Sequence, residues 1–131
     1  MRDILIIDDE NLMIGIKNSL QRDLECKVDL ASSLHSARYF LTNFEYSVVI
    51  VEPSLFGDTH KTRQTPLIDI LGAAIYKKIP VVVLTSLRQE ELAPDYSLKQ
   101  GFHYDFYARK PLLARETVEL VQKALQSEVA V

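Results

Sequence analysis

Four short groups of polar residues have the types needed for an acidic pocket that binds a cation or a phosphoryl group. These groups are Asp8-Asp9-Glu10, Glu52, Thr85-Ser86 and Lys110-Pro111. Carboxylates that lie close together raise one another's proton affinity unless a cation separates them. Lys110 is one such cation, and a divalent metal ion is another. Carboxylate oxygens together with a backbone carbonyl suit a Mg²⁺ ion that keeps several waters.

Five short apolar runs predict the strands that would position these groups. The runs cover residues 4–7, 27–30, 46–51, 80–84 and 104–107. The first, third and fourth runs are the most continuously apolar, as expected for strands that are buried on both faces of a parallel sheet. These three strands are therefore predicted to form the centre of the sheet.

Helical patterns lie between the predicted strands. An apolar residue recurs every four positions from Leu12 to Leu24, which predicts a first helix with this stripe against the core. Further helices are predicted after a cap at Ser32 or Ser33, from Pro66 to about residue 78, near Pro94, and over 112–126. Because parallel strands need crossover connections, this alternation predicts one α/β domain with helices on both faces of the sheet.

The polar groups fall at the carboxyl ends of the predicted strands. Asp8 and Asp9 follow the first strand, Glu52 the third, Thr85 and Ser86 the fourth, and Lys110 the fifth. In open parallel sheets, ligands bind beyond these ends, at the point where the strand order reverses. We therefore expect the polar groups to meet in one crevice.

In these groups and in their order, the sequence resembles the receiver domain of two-component response regulators. The resemblance covers roughly residues 2–126. We therefore predict one receiver-like domain over 1–126, with 127–131 as a C-terminal tail or the start of a linker. The resemblance implies a flavodoxin-like, doubly wound sheet of five parallel strands in the order 2-1-3-4-5, with about five helices.

The resemblance implies a metal site and an acceptor position. Asp8 and Asp9 would hold Mg²⁺, helped by the backbone carbonyl of Ser54. Glu52 stands where receivers have the aspartate that accepts a phosphoryl group. We expect Mg²⁺ binding here to be weak or absent, because Glu52 extends into the pocket, and we expect no other cofactor.

The resemblance also implies a set of switch residues. Thr85, with Ser86 beside it, would bond a phosphoryl oxygen, and Lys110 would pair with the acceptor or its phosphate. Tyr107, three residues before Lys110, matches the aromatic position whose ring turns inward in the active state. The peptide bond between Lys110 and Pro111 resembles one that is often cis in receivers.

Glu52 is the main departure from the receiver pattern. Its extra methylene moves the carboxylate by about a bond length, and a misplacement of ~1 Å can cost ~100-fold in rate. Pro53 follows directly and biases Glu52 toward an extended backbone. Glu52 therefore either partly imitates the phosphorylated state or forms a fixed ion pair with Lys110.

We predict an atypical receiver module of a bacterial signalling system, without catalytic activity, that acts through phosphorylation-independent protein–protein interaction. The partner would be a histidine kinase, an output domain or another signalling protein, bound through the fourth helix, fifth strand and fifth helix. A homodimer is an open alternative. So is a conventional phosphoacceptor receiver, or the N-terminal regulatory domain of a DNA-binding regulator.

Composition and charge limit the other functions. The 131 residues carry a net charge of −3 with no basic block, which argues against direct nucleic-acid binding. No apolar stretch is long enough for a membrane span or a secretory signal, so we expect a cytoplasmic protein. A flavodoxin-like cofactor binder would need a glycine loop after the first strand, and residues 8–11 contain no glycine.

Plainer interpretations of the same residues stay open. Asp8 and Asp9 could only cap the first helix, because acids are favoured at helix N-termini. Glu52 could be a solvated loop acid, and Thr85 an ordinary residue at a strand end. Tyr107 could be a half-buried strand aromatic with no switching role.

Overall fold

Five parallel strands form one sheet, and three helices pack on it, in the residues that the structure describes. A computed structural model describes residues 3–53, 78–88 and 104–129. The strands are β1 (Asp3–Ile7), β2 (Lys27–Ala31), β3 (Val48–Val51), β4 (Val81–Thr85) and β5 (Phe106–Arg109). The helices are α1 (Glu10–Leu24), α2 (Leu34–Asn43) and α3 (Ala114–Val129). The helices predicted from Pro66 and near Pro94 lie outside the described residues.

The strand order in the sheet is β2-β1-β3-β4-β5, and every pair is parallel. This confirms the predicted order. β1 lies between β2 and β3, so Ile4 is opposite both Val28 and Val48. The order reverses at β1 and β3, and in such sheets this is where ligand crevices form.

Apolar residues of the central strands alternate between two core layers. Leu5 and Ile7 belong to the layer that α2 covers, whereas Ile4 and Ile6 belong to the layer that α1 and α3 cover. All four side chains are fully buried. Because both faces of the strands are covered by helices, continuous apolar runs suit them better than an alternating pattern.

The sequence predicted that β5 begins at Tyr104, but the strand begins at Phe106. The carboxylate of Asp105 accepts a hydrogen bond from Val81 N at 2.9 Å, and Asp105 N donates to Val81 O at 2.8 Å. The Asp105 side chain therefore replaces a backbone carbonyl as the acceptor for Val81 N. The regular pairing of β4 with β5 starts one residue later, with Val82 opposite Phe106.

α1 places its apolar stripe differently from the prediction. Leu12, which was expected against the core, is 70% exposed, while Met13 and Leu20 are buried. Each residue turns an α-helix by about 100°, so residues spaced by four drift by about 40° at each step. A stripe that faces the core at Leu20 therefore reaches solvent at Leu12.

Hydrogen bonds of side chains cap the start of α2. Ser33, one of the two predicted caps, accepts from Ser36 N at 3.1 Å and donates its own backbone N–H to Ser36 Oγ at 3.3 Å. The last helix begins at Ala114 and ends at Val129, against a predicted range of 112–126. Within the described ranges, no helix is long and apolar enough to cross a membrane.

Candidate functional site

Three charged side chains meet at the carboxyl ends of β1, β3 and β5. Asp8 directly follows β1, Glu52 directly follows β3, and Lys110 directly follows β5. Lys110 Nζ donates to Asp8 Oδ2 at 2.8 Å and to Glu52 Oε1 at 3.3 Å. The sheet thus brings together an acid from each of two predicted groups and the lysine of a third.

Backbone hydrogen bonds hold the base of each of these side chains. Asp8 N donates to Ala31 O at 3.1 Å, Glu52 N to Ile7 O at 3.0 Å, and Lys110 N to Thr85 O at 2.7 Å. The hydrogen-bond ladder of the sheet therefore continues one residue past β1, β3 and β5. The positions of the three charged groups follow from the sheet register and not from flexible loops.

The charged cluster is largely removed from water. The side chains of Asp8, Glu52 and Lys110 are 3%, 8% and 22% exposed. Burial raises the pKa of Asp8, and the hydrogen bonds from Lys110 and from Asp9 N only partly offset this. With all three groups ionised, two carboxylates share one ammonium and the cluster carries one excess negative charge.

Asp9 is the N-cap of α1. Its Oδ1 accepts a hydrogen bond from Asn11 N at 2.8 Å, and its backbone N–H donates to Asp8 Oδ1 at 2.6 Å. The capping interpretation therefore describes what Asp9 does here. It does not describe Asp8, whose other oxygen is bound to Lys110.

The residues after β4 form a second set of contacts. Thr85 is fully buried, and its Oγ1 accepts a hydrogen bond from Leu87 N at 3.2 Å. The exposed Ser86 offers its carbonyl to Arg109 Nε at 3.1 Å. The two predicted pocket residues thus differ: Thr85 lies inside the fold, while Ser86 lies at its surface.

Tyr107 is half-buried and packs against the core layer on the α2 side. Its hydroxyl donates a hydrogen bond to the carbonyl of Leu87. Leu87 therefore accepts from Tyr107 through its carbonyl and donates to Thr85 through its N–H. This link could not be found in the sequence, because a backbone contact leaves no mark on the type of residue 87.

Sequence comparison finds no match for this chain, whereas structure comparison finds proteins of similar fold. No protein-family model matches the sequence, and a search of curated proteins finds no match. A two-component response regulator from Clostridium difficile is 24% identical, with 96% of this chain and 97% of that chain covered and a TM-score of 0.75. A response regulator receiver domain from Clostridium thermocellum is 26% identical, with 99% and 98% covered and a TM-score of 0.71.

The chain has the receiver-domain fold. A third neighbour is the receiver domain of a sensor histidine kinase from Pseudomonas aeruginosa, with a magnesium ion coordinated in its active site cleft. It is 17% identical, with 99% and 98% covered and a TM-score of 0.67. The resemblance read from the sequence is confirmed at the level of the fold.

The receiver fold implies a Mg²⁺ site, but the described residues do not fit one in this arrangement. Each oxygen of Asp8 accepts a hydrogen bond, one from Lys110 and one from Asp9 N, and one oxygen of Asp9 caps α1. Ser54, the predicted backbone ligand, lies outside the described residues. Over 3–53, 78–88 and 104–129, no group of three or more Asp, Glu, His or Cys side chains could hold a metal ion.

An apolar groove opens beside Lys110, between α1 and the start of α3. It has a volume of about 260 Å³ and is lined by Leu12, Met13, Ile16, Leu84, Lys110, Pro111, Leu112 and Thr117. The peptide bond between Lys110 and Pro111 is cis. The sequence did not predict this groove, because Leu12 was assigned to the core.

Proposed function

We propose that this chain is an atypical receiver module of a two-component or related signalling system, and that it acts through protein–protein contacts without phosphorylation of residue 52. The observation that carries the proposal is the contact of 3.3 Å between Glu52 Oε1 and Lys110 Nζ. Glu52 occupies the position after β3 where the receiver resemblance implies an acceptor aspartate.

The chemistry of phosphoryl transfer supports this proposal. An acceptor carboxylate must place one oxygen in line with the phosphorus atom of the donor, and an error of ~1 Å can cost ~100-fold in rate. The Glu52 side chain is only 8% exposed and carries an extra methylene. A donor would therefore meet a carboxylate that is misplaced, largely covered and engaged by Lys110.

The contacts of Tyr107 support a module held in one state. The ring packs against the core, and its hydroxyl is bound to the Leu87 carbonyl next to Thr85. By resemblance, an inward aromatic ring belongs to the active state of receivers. We propose that the Glu52–Lys110 pair and the Tyr107 contact together hold an active-like arrangement.

The proposed partner is a histidine kinase, an output domain or another signalling protein in the cytoplasm. Its binding surface would include β5, which is the last strand in the described sheet, and α3. Phe106 and Ala108 are half-buried, and Arg109 is exposed. The third part of the predicted surface, the helix near Pro94, lies outside the described residues.

Intact mass after treatment with acetyl phosphate and Mg²⁺ tests the proposal. We expect the wild-type chain to gain no phosphoryl group, because Glu52 is misplaced for attack. Glu52→Asp is the matched variant: if the remaining pocket is competent, it gains one phosphoryl group, and Glu52→Gln gains none.

Uptake of a phosphoryl group on Glu52 of the wild-type chain would refute the proposal. Uptake on Asp8 or Asp9, located by peptide mass spectrometry, would establish the conventional phosphoacceptor alternative. If Glu52→Asp does not react, a second feature of the pocket besides Glu52 prevents phosphorylation. One such feature is the buried Pro53 that follows residue 52.

A further inference from the structure

We infer that Lys110 is the resident cation of this pocket and that its ammonium group excludes a divalent metal ion from Asp8 and Asp9. The inference goes beyond the proposed function, because a module that is never phosphorylated could still bind Mg²⁺. It concerns what balances the charge of the pocket and makes no claim about the partner.

Both carboxylate oxygens of Asp8 accept hydrogen bonds from within the protein. Oδ2 accepts from Lys110 Nζ at 2.8 Å, and Oδ1 accepts from Asp9 N at 2.6 Å. Mg²⁺ requires near-octahedral oxygen ligands at about 2.0–2.1 Å and gives up its waters reluctantly. A metal ion on Asp8 would therefore have to displace the ammonium group or lie within a few ångströms of it, where like charges repel.

Lys110 is held both by its backbone N–H group and by its side-chain amine. Its backbone N–H is bound to Thr85 O at 2.7 Å, and its amine has a second carboxylate partner in Glu52 at 3.3 Å. If the amine moved away, it would leave two carboxylates that are only 3% and 8% exposed without this partner. Breaking a buried pair is much more costly than breaking one at the surface.

Asp9, the other predicted metal ligand, also has a partner within the protein. Its carboxylate caps α1 through the bond to Asn11 N at 2.8 Å. Use of that oxygen for a metal ion would leave an N-terminal amide of the helix without its acceptor. Both predicted side-chain ligands thus have partners within the protein that compete with a metal ion.

These contacts have a consequence for regulation. Because the Lys110 ammonium group is covalently part of the chain, its presence beside Asp8 and Glu52 does not depend on the concentration of Mg²⁺. The electrostatic state of Asp8 and Glu52 should therefore stay the same across changes in metal supply.

Metal titration of the wild-type chain and of Lys110→Met tests the inference. Mn²⁺ is the probe, and the readout is paramagnetic broadening of the Asp8 and Asp9 amide resonances in NMR spectra. We expect no saturable broadening of the wild-type chain in the millimolar range. Lys110→Met should bind about tenfold more tightly or better, because removal of the ammonium group also removes its repulsion of a metal ion beside Asp8.

Three control variants test whether a gain in metal binding comes from loss of the positive charge in this pocket. Lys123→Met removes the same charge from an exposed site on α3 and should gain no metal binding. Lys110→Arg keeps a cation in the pocket and should also gain none. Asp8→Asn combined with Lys110→Met should lose the binding that the single variant gained.

Saturable binding at Asp8 and Asp9 of the wild-type chain, in the millimolar range or tighter, would overturn the inference. So would equal, negligible binding by the wild-type chain and a folded Lys110→Met. If Lys110→Met does not fold, saturable binding by the wild-type chain still overturns the inference. The proposed function fails through a different result, phosphoryl uptake on Glu52, so the two failures are distinguishable.

Discussion

The fold changes the ionisation of Asp8. Asp8 lies under the lysine that bridges it to Glu52, and burial raises its pKa above 3.8 although Lys110 and Asp9 N donate hydrogen bonds to it. A carboxyl group with a raised pKa in the folded state binds protons more readily there than in the unfolded chain. The charge of Asp8 is therefore retained at some cost in stability.

The sign of this effect gives a testable pH dependence. The contribution of Asp8 to stability is fully present below the unfolded pKa of 3.8 and is lost as the pH rises through its raised folded pKa. We expect the free energy of unfolding of the wild-type chain, relative to Asp8→Asn, to increase as the pH falls from neutral toward 3.8. Urea denaturation over this pH range measures the difference, and a gap that narrows on acidification would contradict the assigned direction.

At the scale of the elements, local side chains decide where helices begin. Ser33 and Ser36 satisfy each other's backbone N–H groups at the start of α2, and Asp9 does the same for one amide of α1. Each cap gives an acceptor to a backbone N–H group that has no partner within its helix. This capping role of Asp9 competes with the metal-binding role that the receiver resemblance implies.

Ser33→Ala is expected to lower the free energy of unfolding by about 1 kcal/mol, because the hydrogen bond that Ser33 Oγ accepts from Ser36 N is lost. Ser32→Ala is the matched control, since Ser32 is exposed and lies one residue before the cap. It should change stability by less than about 0.5 kcal/mol. Equal losses from both substitutions, in chemical denaturation, would show that the cap contributes nothing specific.

At the scale of the whole molecule, the Lys110 amine connects three strands. Its bonds to Asp8 and Glu52 join residues that are 102 and 58 positions away in the chain. These contacts exist only once β1, β3 and β5 occupy their places in one sheet. The charged cluster therefore reports on the complete fold and not on any single element.

Lys110→Met should destabilise the whole fold by about 2–4 kcal/mol, because two nearly buried carboxylates lose their cation. The expected loss is set below that of a fully buried pair, since Lys110 is 22% exposed. Lys123→Met, on the surface of α3, should stay within about 0.5 kcal/mol of the wild-type chain. Similar unfolding midpoints for the two variants would mean that the cluster adds little to stability.

The central strands were predictable because burial on both faces leaves a strong local signal, whereas the strand order was implied by the receiver resemblance. The apolar runs at 4–7, 46–51 and 80–84 overlap β1, β3 and β4. Ends were less predictable: β5 starts at Phe106 because a side chain, Asp105, bonds to Val81 N across 24 positions. Leu12 was placed in the core because periodicity alone cannot tell which end of a drifting stripe meets the sheet.

By itself, the sequence determined the alternation of strands and helices, and it placed Asp8, Glu52 and Lys110 at strand ends. Residue types and their local spacing are enough for that. Only the tertiary structure decided that Lys110 bridges Asp8 and Glu52 while Asp9 caps α1. The reason is physical: hydrogen bonds and ion pairs depend on distances of a few ångströms, and the register of distant strands sets those distances.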